Sequence, residues 1–233
     1  MACTFNLQCH HPMSASNVLI LPGWLNSGPD HWQSRWERTY GYARVEQHDW
    51  QRPLRGDWIA RLEDVLLGCT EPAVLVCHSL GCLTAAAWAA HSKNTQLVKA
   101  ALLVAPPDTA REDIGNMLPG WAIDPLPPQK LPFKSVVFAS SNDPFCSLER
   151  ARYFADAWGA KLIDIGERGH INADSGLGDW PSAHAELQQL MALRRPPLNI
   201  ANSALPLSLA NSNARPFNAI KRTNTWSLKN QKA

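Results

Sequence analysis

Val74-Leu75-Val76-Cys77-His78-Ser79-Leu80-Gly81-Cys82 runs directly into Leu83-Thr84-Ala85-Ala86-Ala87-Trp88-Ala89-Ala90. A short β-branched and aliphatic stretch stops at a serine, and an alanine-rich helical pattern begins at once. Such a junction is a sharp strand-to-helix turn that lifts the serine hydroxyl above the end of a sheet. The helix N-terminus then points backbone N–H groups at any anion formed there. A nucleophilic serine needs both properties, and Ser79 is the candidate. The pattern departs from G-x-S-x-G at one position, where Cys77 stands for the first glycine while Gly81 is kept. Strand and helix approach closely around the turn, so both flanks must be small. The plain alternative is a buried strand entering a helix that Ser79 merely caps.

Working outward from this junction, short apolar runs alternate with helical patterns. Strands are expected at Val18–Leu21, Ala43–Gln47, Ala73–Cys77, Ala100–Val104, Ser135–Ala139 and Lys161–Ile165. Helices are expected near His31–Arg38, Asp57–Leu67, Ser79–Ala90, Leu148–Trp158 and Ser182–Leu193. Trp58, Leu62, Val65 and Leu66 recur at helical spacing, as do Trp32 and Trp36. Strand runs without polar alternation imply burial on both faces, hence a mainly parallel sheet of about six strands covered by helices. The fold class is therefore a three-layer α/β domain whose ligand site lies beyond the carboxyl ends of the strands. Pro106–Lys134 is the longest loop-like stretch. It is too short for a large cap domain, so a shallow, accessible site is expected.

The chain has 233 residues and a net charge of +2. That length fits one globular domain with a sizeable core, expected at 17–195, after a flexible N-terminal segment at 1–16. From Pro196 onward the text turns to Asn, Ser, Ala and Pro without period, which reads as a disordered or loosely attached tail at 196–233. That tail holds five basic residues (Arg215, Lys221, Arg222, Lys229 and Lys232) and no acidic ones, leaving a mildly acidic body. This balance gives no reason to expect nucleic-acid binding. No apolar run is long enough to span a bilayer, and no protein partner is indicated. The first fifteen residues lack a signal-peptide pattern. The six cysteines show no paired spacing, so a reducing, cytoplasmic location is expected. Cys3, Cys9, His10 and His11 have no framework to gather a metal. Neither a metal nor an organic cofactor is expected, since phosphate-loop, dinucleotide and zinc-protease patterns are missing.

A hydrolytic serine needs a base, a group that orients the base, and donors for the oxyanion. Ser135–Ala139 leads into Ser140-Ser141-Asn142-Asp143-Pro144-Phe145, which puts Asp143 just past a strand. Lys161–Ile165 leads into Gly166-Glu167-Arg168-Gly169-His170-Ile171-Asn172, which does the same for His170. The resulting order, Ser79 then Asp143 then His170, is a known order for such a constellation. Asp143 also reads as an ordinary turn former. Its main rival, Asp164, lies inside a strand, while Asp174 and Asp179 follow His170 and fit the order worse. Backbone N–H groups of Leu80 and of Trp24, in the Leu21–Gly28 loop, are the expected oxyanion donors. Leu25, Trp121 and Phe145 are candidates for the substrate pocket by loop placement. His78 reads as packing into the turn. Asp30 reads as a cap and His31 as a residue bordering the site, outside the catalytic set.

Leu19-Ile20-Leu21-Pro22-Gly23-Trp24, Gly28-Pro29-Asp30-His31-Trp32-Gln33, His78-Ser79-Leu80-Gly81-Cys82, Asn142-Asp143-Pro144 and Gly169-His170-Ile171-Asn172 together resemble the small, capless α/β-hydrolases of the retinoblastoma-binding serine hydrolase type, particularly bacterial members. The resemblance runs from about Asn17 to Leu193. It implies a triad of Ser79, Asp143 and His170 on a six-stranded sheet, and hydrolysis of a small ester or amide. The residues and the resemblance agree on a serine hydrolase that cleaves small carboxylic esters, thioesters or amides through an acyl-enzyme on Ser79. The rival from another class is an interaction protein that keeps the shell and binds without turnover. An acyltransferase is a further rival, separated from a hydrolase by water exclusion.

Overall fold

The computed structural model describes residues 17–121 and 129–193. The segments expected at 1–16 and 196–233 lie outside the described residues. The described residues form six strands: β1 (Val18–Leu21), β2 (Ala43–Arg44), β3 (Ala73–His78), β4 (Val98–Val104), β5 (Lys134–Ala139) and β6 (Lys161–Asp164). Between and after them lie α1 (Trp32–Tyr40), α2 (Arg55–Leu67), α3 (Leu80–His91), α4 (Glu112–Met117), α5 (Leu148–Trp158) and α6 (Pro181–Ala192). The sheet order is β2-β1-β3-β4-β5-β6, and every pairing is parallel.

Alternate residues of the four central strands, β1, β3, β4 and β5, bury into opposite cores. On one face Leu19, Leu21, Leu75, Leu103 and Val137 meet Trp58 and Leu62 of α2, Leu83 of α3 and Phe154 of α5. On the other, Val18, Ile20, Val76, Leu102 and Phe138 meet Trp32 and Trp36 of α1 and Leu187 of α6. Double-sided burial explains why these strands are written in unbroken aliphatic runs. α3 is buried along its length from Leu80 to Trp88, so its alanines let it lie close against the sheet. Among the described residues no large cap covers the carboxyl edge, and no helix is long and apolar enough to cross a membrane.

Chain direction across the sheet reverses between β1 and β3, because β2 lies outside β1 and everything after β3 lies on the other side. Loops from two adjacent strands part at such a point and leave a crevice. Ser79 sits at this crevice. Two expectations are corrected here. The strand expected at Ala43–Gln47 is only Ala43–Arg44: it is an edge strand paired at two positions with β1. The proline-rich connection contains α4, a helix of six residues that is too short to show a period in sequence.

Candidate active site

β3 delivers Ser79 in a conformation few L-residues adopt, with φ 51° and ψ −123°. A non-glycine residue there costs of order 1–3 kcal/mol and persists only where its surroundings fix it. Here the Ser79 amide donates to the Val104 carbonyl at 2.9 Å, and the Ser79 carbonyl accepts from Cys82 at 2.9 Å. Gly81 is required two residues on, since a β-carbon there would lie 2.3 Å from the Leu21 carbonyl oxygen. Cys77 is fully buried in the core, where a small thiol is accepted at the first flank.

The loops after β5 and β6 are laced together. The Ser140 hydroxyl donates to Asn142 Oδ1 at 2.9 Å and accepts the Arg168 amide at 2.9 Å. Asn142 Oδ1 also accepts the Gly169 amide at 2.7 Å. This lacing brings Asp143 against His170, whose side chains are 2% and 11% exposed. His170 Nδ1–H donates to the Asp143 carboxylate, 3.0 Å from either oxygen. That bond leaves Nε2 as an acceptor, and the Ser79 hydroxyl donates to it at 2.8 Å. A proton leaving Ser79 therefore has a direct acceptor, and the imidazolium formed would sit on a buried carboxylate.

Ser79 opens into a cleft of about 230 Å³ lined by residues that include Trp24, Asn26, His31, His78 and Asn172. The N–H groups of Trp24 and Leu80 make no hydrogen bond among the described turn and loop contacts. Both flank the hydroxyl, Leu80 as the next residue and Trp24 through Gly23, whose added β-carbon would fall 3.2 Å from Ser79 Oγ. Asn26 and its neighbour Leu25 have φ of 67° and 65°, and the loop is clamped from behind. Arg44 donates to Asn26 Oδ1 at 2.6 Å, to the Ser27 carbonyl at 3.1 Å and to Ser34 Oγ at 2.7 Å, and it pairs with Glu37. Gln33 Nε2 donates to the Leu21 and Val76 carbonyls at 3.2 and 3.0 Å, tying the ends of β1 and β3 together.

The candidate pocket residues separate. Phe145 packs its ring 4.5 Å from that of His170 and lines a second hollow of about 510 Å³ with Pro144 and Arg168. Leu25 is 60% exposed and does not wall the cleft at Ser79. Trp121 is corrected: it is 1% exposed in the core, its ring against Trp58 and its indole N–H donating to the Pro53 carbonyl at 2.7 Å. The chain leaving α4 turns inward to put it there. Sequence reasoning gave no part to Gln33, Arg44, Ser140, Asn142 or Asn172. Their polarity beside the motifs was the available signal. Among the described residues no group of three or more His, Cys, Asp or Glu is arranged to hold a metal ion.

The sequence profile of a family described as serine hydrolase matches residues 18–189. The chain belongs to this serine hydrolase family. It is 32% identical to a YdeN-like hydrolase of Pectobacterium atrosepticum over 75% of this chain and 90% of that one, with a TM-score of 0.66. The ydeN gene product of Bacillus subtilis matches at 21% identity over 76% of this chain and all of that one, with a TM-score of 0.62. The carboxylesterase CesB of Bacillus subtilis shares the fold at 11% identity, over 78% and 85% of the two chains, with a TM-score of 0.56. No curated protein matches the chain. These likenesses make the chain a small α/β serine hydrolase; a link to the retinoblastoma-binding type is not among them.

Two buried imidazoles of this serine hydrolase lie beside His170. His31 is held down to about 3, by burial first and then by Arg44 and His170. Burial, reinforced by His31 and His170, also holds His78 well below the usual histidine range. Both rings stay uncharged at neutral pH.

Proposed function

We propose that this hydrolase cleaves small carboxylic esters, with thioesters and amides as related substrates, through an acyl-enzyme on Ser79. The observation that carries this reading is the continuous line from Ser79 Oγ to His170 Nε2 at 2.8 Å and from His170 Nδ1 to Asp143 at 3.0 Å. His170 takes the serine proton as Oγ attacks the substrate carbonyl, and the N–H groups of Trp24 and Leu80 receive the oxyanion. As the tetrahedral species collapses, His170 returns the proton to the leaving group. Water then attacks the acyl-enzyme by the same route. Asp143 holds the tautomer and offsets the imidazolium charge. Residues 17–195 form the proposed catalytic domain. A reducing compartment, the cytoplasm, is proposed because Cys69, Cys77, Cys82 and Cys146 are free thiols.

The test is labelling of the whole protein with a fluorophosphonate probe, together with turnover of p-nitrophenyl acetate, beside Ser79→Ala and His170→Ala. Labelling and turnover of the wild type that vanish in Ser79→Ala and fall about 10⁴-fold in His170→Ala are expected. A folded wild type that neither labels nor turns over ester would overturn the reading and favour a binding protein on the same shell.

A further inference from the structure

His78 precedes the nucleophile, yet its side chain turns to the base. The ring is 5% exposed, and Nε2 lies 2.9 Å from the main-chain carbonyl of His170. A carbonyl oxygen only accepts, so His78 carries its proton on Nε2 and donates it there. Consecutive residues at the end of β3 thus grip His170 at two places: Ser79 at the tip of the ring and His78 at the backbone.

The loop needs such a grip. Gly169, before His170, has φ 56°, and Ile171, after it, has φ 51°. The left-handed region is an outlier for a β-branched residue and is kept only where its surroundings over-determine it. The Ile171 carbonyl is held in turn by the indole N–H of Trp32 at 2.9 Å. Two successive carbonyls of the base-bearing loop are therefore taken by buried side chains from β3 and α1. His31 backs this arrangement, its ring T-shaped to that of His78 at 4.7 Å. His31 Nδ1 accepts the Gln33 amide at 3.2 Å.

We propose that His78 is a positioning residue for His170, its Nε2–H pinning the strained His170–Ile171 backbone so that the imidazole meets Ser79, with Trp32 as the second pin. The proposal rests on His170 being the base. Through this bond His78 acts on the placement of the base, so its effect is read in kcat. A misplacement of about 1 Å at a catalytic group costs about 10²-fold.

The experiment measures kcat and KM for p-nitrophenyl acetate in wild type, His78→Leu, His78→Gln and Trp32→Phe, with thermal unfolding to establish folding. The amide of glutamine reaches the place of the imidazole Nε2–H, whereas leucine fills the space without a donor. His78→Leu is expected to lower kcat about 10²-fold, and His78→Gln to recover most of that loss. A folded His78→Leu with wild-type kcat overturns the proposal, as does a folded His78→Gln no faster than His78→Leu. Should His78→Leu not fold, Trp32→Phe decides: lower kcat supports the pinned loop, and wild-type kcat overturns it. An inactive wild type would instead count against the hydrolytic reading, so the two failures are distinct.

Discussion

Gly23 and Ser79 touch through space that only a hydrogen can occupy: a β-carbon on Gly23 would sit 2.7 Å from Ser79 Cβ and 3.2 Å from its hydroxyl oxygen. The requirement is room and not backbone freedom, since Gly23 is absent from the positive-φ glycines. Gly23→Ala must either push Ser79 off His170 or displace the loop that carries the Trp24 N–H. A lost oxyanion donor alone costs about 10²–10³ in turnover. The expected result is at least a hundredfold slower fluorophosphonate labelling, with the far-ultraviolet circular dichroism unchanged. Labelling at the wild-type rate would show that the loop yields without disturbing the site.

Gly81 makes the corresponding contact on the other side of the turn. Its missing β-carbon would lie 2.3 Å from the Leu21 carbonyl oxygen and 2.9 Å from that of Pro22, both rigid backbone atoms. Gly81→Ala has to move α3 off the end of β1, and overpacking of this kind costs about 1–3 kcal/mol or more. Urea unfolding followed by tryptophan fluorescence is expected to give a lower midpoint with an unchanged slope. An undiminished midpoint would mean that the helix shifts freely.

What the sequence made legible follows from where each signal is local. The change of period at Ser79 marks β3 and α3 within a residue or two, because one strand and one helix meet there without a linker. Asp143 and His170 were nameable because each follows a strand, and a parallel sheet sends all such loops to one edge. Trp121 was misplaced because a short helix between prolines has no readable period, so its inward turn could not be foreseen. The bond from His78 to His170 joins residues 92 apart in sequence and depends on the strained path at Ile171. No spacing rule encodes that contact.

Arg44 clamps the loop that carries Trp24, and its guanidinium holds three loop and helix acceptors besides Glu37. The two charged side chains are only 12% and 20% exposed. Arg44→Gln strands Glu37 and releases Asn26, which together should cost about 3 kcal/mol of stability. Arg44→Lys keeps the charge but not the planar fork that reaches several acceptors, so it should recover stability only in part. Both variants are expected to label more slowly than wild type at a temperature where they remain folded. Wild-type labelling by a folded Arg44→Gln would show that the loop needs no clamp.

His31 makes stability depend on pH with a definite sign. Its imidazole is lowered from 6.5 to about 3 in the folded protein, by burial first and then by Arg44 and His170. Between those values the unfolded chain binds a proton that the folded protein refuses. Stability is therefore full above pH 6.5 and is lost as the pH falls toward 3, by up to several kcal/mol from this one group. His78, also held low, acts in the same direction. His31→Asn isolates the first contribution. Its side-chain oxygen still accepts the Gln33 amide at the start of α1, as His31 Nδ1 does, but it cannot take up a proton. The variant is expected to be less stable than wild type at neutral pH, because a buried ring is lost. Its unfolding free energy should nonetheless fall less steeply on acidification. Urea unfolding at a series of pH values measures this slope directly. A slope equal to that of the wild type would mean that His31 takes its proton as readily folded as unfolded.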